Sequence, residues 1–385
     1  MGSISCTSVP SYSRTSEKNL TETERIVKKI WFILFVVMLV VCSCVDKNAN
    51  ENGKANGNSR FTTEVLLKTT PVKTQGHSAL CWAYAMLAVI ETEHLMQGDS
   101  VNLSPDFIAR HLLADMADEC YLTDGKSRPS LRGMAIMLLG RMRRYGMLAY
   151  DTYHTPEGCN YEVLTRKVGS VADGARTTRK GLAACRAATT QLLDDAIRPV
   201  PRFQFMFGAE YTTGEFARSV CRDNEYVALT SFTHHPFGER FALEVPDNRD
   251  GDRFLNVPVS QLLSIMERAL RSGHPVCWEG DTSEPGFSFA KGVAKVDQHP
   301  SPNTHHPNIQ AERQRMFERF QTTDDHCMAI VGIAHDAAGK QYFVCKNSWG
   351  TDNPFGGMMY MSFDYAVLKT IAIVVPSSVF HHGNP

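Results

Sequence analysis

No two of the chain's 11 cysteines fall in a CxxC pair. Zinc-ligand spacing is therefore missing, and the scattered positions demand no disulfide framework. Neither charge is in excess, with 40 Lys and Arg against 41 Asp and Glu. That balance excludes the strong basic field that draws nucleic acid or an anionic lipid surface. No repeat of fixed period is visible. Gly280 to Gly292, GDTSEPGFSFAKG, contains glycine but lacks the spacing of a phosphate loop. His234-His235, His305-His306 and His381-His382 sit in loop-like settings without acidic or Cys neighbours, so no metal and no cofactor is expected. The cluster Arg141, Arg143 and Arg144 reads as a solvated helix face.

The apolar run Ile30 to Cys44, IWFILFVVMLVVCSC, is shorter than the about 20 residues of a bilayer-spanning helix. Lys28-Lys29 precede it and small residues close it, the pattern of a secretory signal. Its end, VCSC, resembles the lipobox of bacterial lipoproteins, which implies lipidation at Cys44; an ordinary cleaved signal and an uncleaved anchor are the alternatives. MGSISC at the start brushes against a myristoylation pattern but lacks Ser or Thr at position 6. After Cys44, VDKNANENGKANGNSR is rich in Asn and Gly and nearly free of apolar residues, as a flexible tether is. The expected organisation is a leader over 1–44, a tether over 45–60 and a folded body over 61–385. The expected location is exported and membrane-anchored, on the periplasmic side or the cell surface.

In the body, TQGHSALCWAYAMLAVIETEHL places Cys81 where a loop becomes a helix. Apolar residues recur at helical spacing from Trp82 through Ala85, Met86, Val89 and Ile90, until Gly98. A lone Cys in an apolar helix is usually core. One in the first turn instead meets unpaired N–H groups and the positive end of the helix dipole, which favour the reactive thiolate. A thiolate nucleophile also needs a base and an orienting group. His326 precedes a strand-like run, Cys327 to Ala334, and Asn347 follows another, Tyr342 to Cys345. Two adjacent antiparallel strands would bring His326 and Asn347 together. Asn347 would then hold one imidazole nitrogen and leave the other facing sulfur.

Gln75, Cys81-Trp82-Ala83, His326 and KNSWG at Lys346 to Gly350 resemble the signature set of papain-like cysteine peptidases. The resemblance implies that Cys81 attacks the peptide carbonyl, His326 shuttles the proton and Asn347 orients His326. It implies an oxyanion site from Gln75 and the Cys81 N–H, with Trp349 shielding the Asn–His hydrogen bond. Asp325 would support His326. The segment Leu131 to Tyr153 resembles the one whose Gly-Gly loop lines the substrate cleft; Gly133 would bind substrate backbone, and Arg132 replaces the first Gly. NLSPDFIARHLL resembles the family's second helix, with Ser104 as N-cap and Pro105 at its first position.

NVPVSQLLSIMERALRSGHPVCWEGD is similar to the aminopeptidase C and bleomycin hydrolase branch. The implied fold is α+β and two-lobed, a helical lobe beside a small antiparallel sheet or barrel, with an insertion at about 159–298. Within it, Ser170 to Leu193 reads as helix, then a helix from Ser260 to Ser272 and a strand from Pro275 to Glu279. The expected partners are a peptide or protein substrate and, through Cys44, a membrane, with no nucleic acid. Oligomerisation and the choice between aminopeptidase and endopeptidase stay open, because the tail PSSVFHHGNP differs from that branch's tail. The rival is a surface lipoprotein that binds peptides on the same fold without cleaving them.

Overall fold

The structure, a computed structural model, describes residues 60–155, 158–296 and 308–381. The leader, the tether, Cys44 and His305-His306 lie outside them. Among the described residues no helix is long and apolar enough to cross a membrane.

The body opens with strand β1 (Phe61–Leu66). Helices α1 (Cys81–Gln97), α2 (Pro105–Leu122), α3 (Ala135–Tyr145), α4 (Tyr161–Thr177) and α5 (Leu182–Ala196) follow. A small hairpin, β2 (Gln204–Met206) and β3 (Ala209–Tyr211), leads to α6 (Thr213–Val220). Then come β4 (Tyr226–Thr230), β5 (Arg240–Ala242), β6 (Arg253–Asn256), α7 (Val259–Arg271) and β7 (Val276–Gly280). The remainder is β8 (Phe287–Ser288), β9 (Val293–Ala294), α8 (Ile309–Glu318), β10 (His326–Asp336), β11 (Gln341–Lys346), β12 (Met358–Ser362), α9 (Phe363–Lys369), β13 (Thr370–Pro376) and α10 (Ser377–His381).

Eleven strands form one sheet in the order β5-β6-β4-β13-β7-β10-β11-β12-β9-β8, with β1 added to β10. The sheet is larger than expected and is mixed: β4 with β6 and β12 with β9 are parallel, the other pairs antiparallel. β10 holds three neighbours. β11 flanks one edge, while β7 takes its first half and β1 its second half on the other. Gly332 permits this crowding, because a Cβ there would meet the Val65 carbonyl at 2.3 Å. The stretch 159–298 supplies β4 and β7 to the middle of the sheet, so it builds the core as well as extending it.

Local sequence explains the elements that frame the site. α1 is buried nearly all round, as a helix apolar on every face must be. It stops at Gly98, which adopts φ +96° and returns its N–H to the His94 carbonyl. Ser104 caps α2 by accepting from Phe107 N–H, with Pro105 in the first turn. The single helix read over Ser170 to Leu193 is in fact two, α4 and α5. Arg179 and Gly181 take positive φ, 53° and 86°, between them, which ends one helix before the next begins.

Glu91, on the buried interior of α1, ties the helical layer to the sheet. It accepts Lys73 Nζ at 2.6 Å, Leu103 N–H at 2.8 Å and the Thr70 hydroxyl. Thr70 in turn accepts Lys346 Nζ at 2.7 Å, from the residue before Asn347. Burial lowers Lys346 to about 8. The network joins the helix that begins at Cys81 to the strand that ends at Asn347.

Candidate active site

Cys81 is the first residue of α1, and no side chain caps the N–H groups there. The free end of the helix therefore lies at the sulfur. His326 opens β10 and Asn347 directly follows β11. The antiparallel register sets Ala329 opposite Lys346, so the start of one strand lies beside the end of the other. His326 Nε2 and Asn347 Oδ1 are 2.8 Å apart, and both residues are buried. Asn347 Oδ1 also accepts Ser348 N–H at 2.7 Å, which fixes the amide. With Nε2 engaged, Nδ1 is the imidazole nitrogen left for Cys81.

The Trp349 ring centroid is 4.5 Å from that of His326. Phe287 and Phe289 meet the indole edge-on at 5.8 and 5.5 Å. Gln75 donates its N–H to the Ser348 carbonyl at 2.8 Å and accepts the Ser348 hydroxyl on Oε1 at 2.6 Å. Its Nε2 donates to the Ser78 carbonyl at 2.6 Å and has a second hydrogen to offer. The loop before Cys81 is thus fastened to the loop after Asn347. Trp82 Nε1 donates to the Leu131 carbonyl at 2.8 Å, which pins the segment carrying Gly133 over the start of α1. A Cβ on Gly133 would lie 2.1 Å from Met137 Cε and 3.2 Å from the Trp82 ring. Asp325 Oδ1 accepts the Thr323 hydroxyl at 2.9 Å; burial, and then Asp281, raise its carboxyl above the usual value. Cys44 lies outside the described residues.

Electrostatics favour a thiolate. The Cys81 thiol is held well below the ordinary value. The largest cause is a hydrogen bond from the Cys327 thiol; a hydrogen bond and the charge of His326 also lower it, while burial opposes both. Cys327 itself is driven well above the usual value by burial, then by Cys81 and Glu279. It therefore stays protonated and acts as donor. The sequence pattern marks Cys327 only as a core thiol in an apolar run. Its place beside Cys81 follows from its position after His326 on β10.

Two further groupings were hidden in the sequence. Arg132 Nε meets Asp247 Oδ1 at 2.6 Å, and Asp247 N–H donates to Asp324 Oδ2 at 3.0 Å. Asp247 is more than a hundred residues from Arg132, and no local signal joins them. His234 and His235 do have an acidic neighbour, contrary to the sequence reading: Glu244 lies 3.2 and 2.7 Å from their Nε2 atoms. The three could offer ligand atoms within 4.8 Å of one another. Gln314 Oε1 accepts Thr233 N–H at 2.6 Å, so its Nε2 donates to His234 Nδ1 at 3.0 Å. That places the His234 proton on Nε2, facing Glu244, as in a hydrogen-bonded trio.

Residues 207–381 match the Peptidase C1-like family. The fold is that of PepW from Lactobacillus rhamnosis, with a TM-score of 0.64 and 15% identity, covering 94% of each chain. The fold is papain-like, and residues 207–381 are similar to that peptidase family. Aminopeptidase G of Lactobacillus delbrueckii subsp. lactis is 24% identical over 155 residues, 40% of this chain and 35% of that one. The chain thus aligns with about a third of that relative's length. Cysteine proteinase 1, mitochondrial, of Saccharomyces cerevisiae is 24% identical over 379 residues, 83% of this chain and 77% of that one.

Proposed function

We propose that the protein hydrolyses peptide bonds through a thioester on Cys81. The observation that carries this reading is one arrangement: an acidified Cys81 at a helix start, beside a His326 whose far nitrogen is held 2.8 Å from Asn347. The Cys81 thiolate attacks the scissile carbonyl carbon. The oxyanion that forms meets the Cys81 N–H and the spare Nε2 hydrogen of Gln75, donors that do not titrate. His326 gives its proton to the departing amine, which leaves a thioester on Cys81. Water, deprotonated by His326, attacks that thioester and releases the acid and the free thiol. Asn347 keeps the imidazole in position, and the Trp349 ring lowers the dielectric around that contact and strengthens it.

Aminopeptidase action is the finer part of the proposal. It rests on the likeness to aminopeptidase G. The described part of the tail lends it no support: α10 sits at the Pro376 end of β13, while Thr370 at the other end pairs with Gly280, the strand partner of His326. Ser377 N–H bonds the Glu225 carbonyl at 2.7 Å there, on the start of β4. Export and lipidation at Cys44 complete the proposed picture, with cleavage occurring outside the cytoplasmic membrane.

The test is hydrolysis of a peptide library by the full chain and by Cys81→Ala, read by mass spectrometry. The wild type should give discrete products and Cys81→Ala none, with an unchanged circular dichroism spectrum. Equal product formation by both would refute the mechanism. The termini of the products distinguish removal of single N-terminal residues from internal cutting.

A further inference from the structure

Cys81 has a second thiol beside it, and the hydrolytic steps above give that thiol no bond to make. Cys81 opens α1, and Tyr84, Ala85 and Ala88 follow it on the same face of the helix, one and two turns on. Those three residues wall a narrow cleft between α1 and the sheet, and Cys327 of β10 lines the same cleft from the sheet side. The face of α1 that begins with Cys81 is thus the face that meets Cys327. The two thiols act on each other, with Cys81 held low and Cys327 driven high.

Their exposures differ. Cys81 is partly exposed and Cys327 is buried, so a small reagent entering from solvent reaches Cys81 first. Among the described residues every cysteine is a free thiol, and neither of these two is engaged elsewhere. Cys277 is a third thiol on this side of the sheet. It pairs with Ala329, two residues along β10 from Cys327, and so lies diagonal to Cys327 on the same face.

We infer that Cys81 and Cys327 form a redox modification site, at which a hydroperoxide oxidises Cys81 and Cys327 resolves the product into a Cys81–Cys327 disulfide. In the first step the Cys81 thiolate attacks one oxygen of hydrogen peroxide. An S–O bond forms and the O–O bond breaks. Hydroxide departs and takes the proton held by His326, leaving as water. The sulfur has lost two electrons and the peroxide has gained them. In the second step the Cys327 sulfur attacks the sulfenic Sγ of Cys81. An S–S bond forms, the S–O bond breaks, and the departing hydroxide leaves as water with the Cys327 proton. Two thiols and one peroxide become one disulfide and two waters. The disulfide removes the nucleophile until a thiol reductant restores it. A sulfenic acid without a resolving thiol goes on to sulfinic acid, which such reductants do not reverse. Cys327 therefore makes the oxidative loss of Cys81 reversible.

This regulation rests on the reading of Cys81 as the nucleophile, and the experiment separates the two. The full chain is treated with hydrogen peroxide, and a non-reducing digest is mapped by mass spectrometry. The wild type should yield a peptide pair joining Cys81 to Cys327, lighter by the two thiol hydrogens than the separate peptides. Iodoacetamide labelling of Cys81 should fall as that species grows and return after dithiothreitol. In Cys327→Ala the linked species should be missing, and peroxide should leave a sulfinic acid on Cys81 that dithiothreitol does not reverse. Cys277→Ala should keep the Cys81–Cys327 link. The wild-type map decides the matter even where a variant fails to fold. Sulfinic acid on Cys81 with no link, or Cys327 joined to Cys277 instead, would overturn the redox site and leave the nucleophile standing. A Cys81 that reacts with neither iodoacetamide nor peroxide would overturn the nucleophile reading beneath it.

Discussion

Two neighbours, Cys327 and His326, hold the Cys81 thiol below its ordinary value. The Cys327 contribution is the larger, so its removal has a definite sign. Cys327→Ala should move the alkylation profile of Cys81 to higher pH, measured as the rate of iodoacetamide modification between pH 4 and 9. An unmoved profile would mean that His326 and the helix end suffice. Glu279 makes the opposite case. Its folded value of about 8 lies above the roughly 4.3 of an unfolded carboxyl. The folded state therefore binds the proton more tightly, and stability is lost as pH rises from about 4.3 through 8. Glu279→Gln keeps an acceptor for Ala135 N–H and removes the charge. Its melting temperature should gain on the wild type between pH 5 and 8.5. A difference independent of pH would contradict this. Cys81, His326 and Asn347 were legible in the sequence because each has a local marker: a loop-to-helix change, a strand start and a strand end. Cys327 and Glu279 were not, because both look like core until the β7–β10 register sets them side by side.

Elements carry these residues to one place, and buried polar groups set how they meet. Glu91 binds Lys73, Thr70 and the Leu103 N–H, and through Thr70 it reaches Lys346 on β11. Removing one member of a buried ion pair strands the other charges. Glu91→Ala should lower the unfolding free energy by about 3 kcal/mol or more, as measured by urea denaturation. A change below about 0.5 kcal/mol would show that the network is not what fastens helix to sheet. Most elements near the site are legible from periodicity and caps, as Gly98 and Ser104 illustrate. The α4–α5 break escaped that reading because Thr177 to Lys180 contains no proline and only Gly181 to signal it. Arg132 and Asp247 escaped for a different reason, since their contact is between distant segments and leaves no mark in either.

At the scale of the whole molecule, the body is a helical layer against one eleven-stranded sheet, with Cys81 on the first and His326 and Asn347 on the second. The α+β class was legible, because the chain places helix-like segments first and strand-like runs last. The extent of the sheet was not. β4, β6 and β7 lie within 159–298, and strand pairing between segments so far apart is fixed by packing and register. The central claim is that this assembly makes Cys81 a reactive thiolate. Its most direct test is labelling of the full chain and of His326→Ala with iodoacetamide at pH 6, followed by peptide mass mapping. The account predicts selective modification of Cys81 over the chain's other cysteines in the wild type, and a marked loss in His326→Ala. Labelling of Cys81 no faster than of the other cysteines would contradict it.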